Sequence, residues 1–200
     1  AGLWSLPSAV AFTLCSFATP ALAARIPTAR LVAGGMVVAA LGFVWLARAD
    51  DLVEIVAASI VFSVGFTPVI ALTTGLVVGS APPERTGAAS AMSETSAELG
   101  GALGVALLGS LGAAIYRSRM SDVAMPGLGE DALAAARATL GGALAGAETM
   151  APEQASAFLA TARAAFMTGF HAAAGLSVVA MLFCAALALT VLRGTKAGAH

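Results

Sequence analysis

Long apolar runs separated by short polar turns fill most of this chain, and their lengths predict helices that cross a bilayer. One crossing takes about 20 apolar residues. Five runs reach or approach that length, at residues 2–23, 31–47, 52–80, 87–116 and 166–192. Pro7 and Pro20 interrupt the first, and Pro68 stands near the middle of the third. Proline removes a backbone hydrogen bond and is expected to kink the third helix, with Thr67, Thr73 and Thr74 placed to bridge freed carbonyls. The turns between runs are compact: residues 24–30 with Arg25 and Arg30, then Arg48-Ala49-Asp50-Asp51, then Pro82-Pro83-Glu84-Arg85. Glu54 falls in the first turn of the third run, where a carboxylate suits a helix N-terminus.

The pattern changes between residues 117 and 165. Pro126-Gly127 and Met150-Ala151-Pro152 punctuate this stretch. Leu133, Leu140 and Leu144 fall at helical spacing, as do Phe158, Leu159, Ala162 and Phe166. Such one-sided spacing predicts an amphipathic helical hairpin outside the bilayer, its second arm running into the last span. The fold class expected is therefore all-α and integral to the membrane. Four spans occupy 1–116, a hairpin 117–165, the last span 166–192 and a polar tail 193–200.

Composition agrees. The 200 residues are 59% hydrophobic and 10% charged, with mean hydropathy +0.92, whereas soluble domains carry about 25% charged residues. The formal net charge of −1 and the scattered basic residues exclude a nucleic-acid surface. Cys15 and Cys184 lie within apolar runs and are expected to be packing residues, and His171 and His200 have no partners spaced for a metal. No metal or organic cofactor is implied, and no nucleophile–base set suggests an enzyme. The chain opens on Ala1 already in an apolar run, without the basic segment of a signal peptide, which suggests a piece of a longer protein.

Basic residues are denser on the connections 24–30, 81–86 and 193–200 than on the other side. The positive-inside rule then puts those connections and the carboxyl terminus in the cytoplasm and the hairpin outside. Trp4, Trp45 and Tyr116 would all stand at outer-leaflet span ends, as an aromatic belt requires.

Within the fourth span, Glu94 and Glu98 interrupt an otherwise apolar run one helical turn apart. Residues four apart project from the same helix face, which Gly101 and Val105 continue. A carboxylate at bilayer depth is costly and marks function. Thr95-Ser96-Ala97-Glu98 also fits a capping box, in which case the helix would begin at Ser96 and Glu94 would be a solvated loop residue. From spacing alone the two readings are level; the uncharged lead-in at 87–93 favours burial. Gly100 and Gly104, with Gly101 and Gly109 beside them, form small-residue patterns that let helices pack closely.

The run Ala81-Pro82-Pro83-Glu84-Arg85-Thr86-Gly87-Ala88-Ala89-Ser90, followed by Ser93-Glu94-Thr95 and Glu98-Leu99-Gly100-Gly101-Ala102-Leu103-Gly104, resembles the thirteenth span of a known family. These are the fourteen-span drug:proton antiporters of the major facilitator superfamily, exporters of quaternary ammonium and other organic cations. The hairpin before the last span is similar to that branch too. Residues 25–30 resemble the superfamily's loop between second and third spans, with Ala24 and Pro27 in place of its usual Asp and Gly.

The resemblance covers essentially the whole chain as spans ten to fourteen of a carboxyl-terminal half. It implies a missing amino-terminal half, a multi-pass place in the bacterial inner membrane, and a chain that does not transport alone. Glu98 first and Glu94 second would bind the coupling proton and compete for it with a hydrophobic cation. Desolvation favours the protonated form of a carboxyl group and a nearby cation the ionised form, which is the logic of exchange. Phe62, Phe66 and Met92 are pocket candidates for a flat cation if they line one cavity, although taken singly each is better read as helix packing or lipid contact. Two other functions fit the same spans: a membrane scaffold whose hairpin binds a partner, and a permease of the superfamily for another solute.

Overall fold

The computed structural model describes residues 2–49, 51–123 and 128–192. Asp50, Pro126-Gly127 and the tail at 193–200 therefore lie outside the described residues. Among those described the chain is helical, with no strand. The helices are α1 (Leu6–Ala23), α2 (Thr28–Leu46), α3 (Leu52–Gly79), α4 (Thr86–Met120), α5 (Glu130–Ala138), α6 (Leu140–Ala147) and α7 (Pro152–Val191). Short 3-10 turns at Gly2–Ser5 and Pro83–Arg85 precede α1 and α4. Five described helices are long and apolar enough to cross a membrane: α1, α2, α3, α7, and α4 together with its leading turn. The protein is an all-α, multi-pass membrane chain.

Local chemistry sets the helix starts. Pro7 occupies the first turn of α1, where its fixed φ and missing N–H are tolerated, so α1 begins at Leu6. Asp51 caps α3, its Oδ1 accepting from the Glu54 backbone N–H at 2.8 Å. α3 then runs unbroken through Pro68.

The chain divides into two compact units, 1–101 with 174–200, and 102–173. These divisions fall inside α4 and α7. In the first unit α2 and α3 form a close seam. A Cβ on Gly35 would stand 2.5 Å from the Gly65 carbonyl oxygen, and one on Gly42 would stand 2.6 Å from the Phe62 nitrogen. Gly65 is equally confined, against Ala39 and the Gly35 carbonyl. Val32, Ala33 and Val69 pack with Ala185 and Ala188 of α7 in one buried cluster.

α1 lies against α3. Pro68 has no N–H for the carbonyl four residues before it, Val64. The Cys15 thiol of α1 donates to that carbonyl at 3.4 Å. The expectation that threonines would serve the freed group is corrected here: Thr67 bonds the Ser63 carbonyl at 2.6 Å and Thr73 bonds that of Val69 at 2.6 Å. Both are ordinary back-bonds to the preceding turn.

In the second unit the buried core joins Tyr116 and Met120 of α4, Ala136 of α5, Ala143 and Ala147 of α6, and Phe158, Ala162 and Ala165 of α7. The first arm of the expected hairpin is two helices rather than one. Thr139 is extended, at φ −149° and ψ 154°, and its Oγ1 accepts from the Gly142 N–H at 3.0 Å to start α6. Gly142 lies so close to the Ala135 carbonyl that a side chain would not fit. The second arm and the last span form the single 40-residue helix α7.

Candidate functional site

α4 is one helix of 35 residues, and Glu94 and Glu98 stand well inside it. The capping box requires the helix to begin at Ser96, but it begins ten residues earlier, at Thr86. Thr95 Oγ1 donates to the Ala91 carbonyl at 2.8 Å and Ser96 Oγ to that of Met92 at 2.7 Å. Both hydroxyls therefore bond backward within the helix, and neither caps its start. The two carboxylates share a face one turn apart, continued by Gly101 and Val105.

That face is uncovered. Glu94 and Glu98 are exposed, and among the described residues neither has a hydrogen-bond or ion-pair partner. Val105 is 77% exposed, and the buried residues of α4 are Tyr116 and Met120, at its far end. A Cβ placed on Gly100, Gly101, Gly104 or Gly109 would meet nothing within 4 Å. The close packing expected at those four glycines is thus absent from the described chain. It occurs instead at Gly35, Gly42 and Gly65, and where a Cβ on Gly169 of α7 would stand 2.6 Å from the Gly112 carbonyl of α4. Pro68 is buried.

Phe62 and Phe66 stack with centroids 5.3 Å apart, and Phe43 of α2 meets Phe62 edge-on at 5.0 Å. The ring pair is thus brought together, with Phe43 added. Met92 stands 70% exposed on α4, outside this ring contact. Sequence reasoning passed over Phe43; the cue was its neighbour Gly42, which brings α2 against the Phe62 backbone.

Chemically, two adjacent acids on an exposed, apolar-flanked helix face can hold a proton or a cation once another surface closes over them. Similar proteins are known. Over 94% of its length the chain is 35% identical to multidrug efflux pump LfrA of Mycolicibacterium smegmatis. The chain belongs to the major-facilitator family of drug efflux pumps. A second member of that family, the methyl viologen resistance protein SmvA of Salmonella typhimurium, is 32% identical over 94% of the chain. The tetracenomycin C resistance and export protein of Streptomyces glaucescens is 28% identical over 65%. No family model matches the chain. The matched region is 37% of LfrA, 38% of SmvA and 25% of the tetracenomycin protein, so the chain spans well under half of these relatives.

Proposed function

We propose that this chain is the carboxyl-terminal part of a proton-coupled exporter of hydrophobic organic cations, seated in the bacterial inner membrane with its carboxyl terminus in the cytoplasm. The observation that carries this reading is the placement of Glu94 and Glu98 inside an unbroken apolar helix, on a face that no described part of the chain covers. An amino-terminal half would supply the opposing surface. Closing over the acids, it would exclude water and leave proton and cation to compete for the same carboxylates. The names of two relatives point the same way: one is a multidrug efflux pump, another a methyl viologen resistance protein.

The test uses the intact protein in vesicles with an imposed pH gradient, following efflux of an ethidium-type cation. Glu98→Gln is expected to lower proton-driven efflux about a hundredfold, the usual contribution of a proton-transferring group. Glu94→Gln is expected to lower it less. Normal pumping by both folded variants sinks the coupling role.

A further inference from the structure

Two adjoining cavities in the 102–173 unit have complementary chemistry. The larger, about 390 Å³, is lined by Leu108 and Tyr116 of α4, Leu140 of α6, and Phe166 and Phe170 of α7, with no charged residue among its walls. That volume lies in the range of small-ligand sites. The smaller, about 280 Å³, is lined by Arg117, Ser121, Ala134, Arg137 and Ala138. Ala138 forms a wall of both, and Tyr116 of the first is followed in the chain by Arg117 of the second.

The smaller cavity carries two guanidinium groups and no acid. Arg137 donates through one terminal nitrogen to the Val123 carbonyl at 3.2 Å, while its buried Nε has no hydrogen-bond partner among the described residues. A buried donor left unmet is unfavourable, and more so when it belongs to a charged group. Arg117 is exposed, and among the described residues neither arginine pairs with a carboxylate.

An apolar trough between two membrane-crossing helices, sharing a wall at Ala138 with a cavity lined by two arginines, matches an amphiphile with an acyl chain and a phosphate. Arginine presents a fork of donors suited to phosphate oxygens. A hydrophobic cation would fit the trough but meet two like charges in the adjoining cavity. We propose that these cavities hold one phospholipid with an anionic headgroup, its acyl chain between α4 and α7 and its phosphate between Arg117 and Arg137. The inference needs α4 and α7 to cross the membrane, and owes nothing to the transport reading.

The intact protein, purified in detergent, would be titrated with phosphatidylglycerol or with phosphatidylcholine, and bound lipid counted by native mass spectrometry. Phosphatidylglycerol should be retained preferentially. The double substitution Arg117→Gln with Arg137→Gln should lower its retention about thirtyfold, given roughly 1 kcal/mol for each basic residue near an anionic headgroup. Arg117→Lys with Arg137→Lys should keep most of the preference, which separates charge from misfolding. Ala113→Phe, which fills the apolar cavity, should weaken both lipids. Millimolar inorganic phosphate should displace neither lipid. Equal retention of the two lipids by wild type, a preference that survives loss of both arginines, undiminished binding by Ala113→Phe, or displacement by phosphate alone would each overturn the proposal.

Discussion

Tyr116 shows how one side chain holds the hairpin to α4. α5 ends at Ala138, so its last carbonyls lack the helical donors that a longer helix would supply. Thr139 N–H serves Ala135, and the buried Tyr116 hydroxyl donates to the Ala136 carbonyl at 2.9 Å. Tyr116→Phe keeps the ring packed but leaves that carbonyl unmet. It is expected to destabilise the protein by about 1–2 kcal/mol, read as a lower midpoint in thermal unfolding in detergent, with early hydrogen exchange at residues 130–147. The sequence placed Tyr116 in an aromatic belt by its position at a span end. The hydroxyl's partner lies 20 residues further on, across a break at Thr139, and no local spacing reports a bond of that kind. Glu94 and Glu98 stand out in the sequence because a charge in an apolar run is conspicuous, and what would face them lies outside the described chain.

Among elements, the α2–α3 seam and the glycines of α4 carry the same small-residue signature with opposite outcomes. At Gly65 a methyl group would meet the backbone of Ala39 and Gly35, neither of which can turn aside. Gly65→Ala should therefore destabilise this chain by about 1–3 kcal/mol, as overpacking does. At Gly100 a methyl group meets nothing, and Gly100→Ala in the isolated chain should be neutral or stabilising by up to about 1 kcal/mol through helix propensity. Parallel melting curves of the two variants check both. In the intact protein, a large loss at Gly100 would place an opposing helix against that face. Spacing identifies surfaces that permit close approach; it does not say which has a neighbour in the same chain. The split of the hairpin arm escaped notice for a related reason. Leu133, Leu140 and Leu144 keep helical phase across Thr139, so periodicity carries straight through the break.

Across the whole molecule, the five apolar helices leave much of their surface to lipid or to other helices. Phe17 is 79% exposed, Leu107 66% and Phe183 65%, an apolar surface that water would not support. The expected orientation is open to direct measurement. After Cys15 and Cys184 are replaced, Asp122→Cys should react with a membrane-impermeant maleimide in intact cells, whereas Glu84→Cys should react only after the cells are opened. The reverse pattern would invert the topology. Span number was legible because bilayer thickness fixes a length that composition must fill. Polarity alone does not mark where a helix ends, because α4 and α7 each run on past the positions where polarity changes. The thiol of Cys15 adds a last consequence. Where Pro68 removes a rung from α3, the replacement comes sideways from α1, through a weak sulfur donor. Such a rung resists bending only while α1 stays alongside. The pliancy of α3 at its midpoint is thus governed by a neighbour's position, and a small slide of α1 would unlatch it.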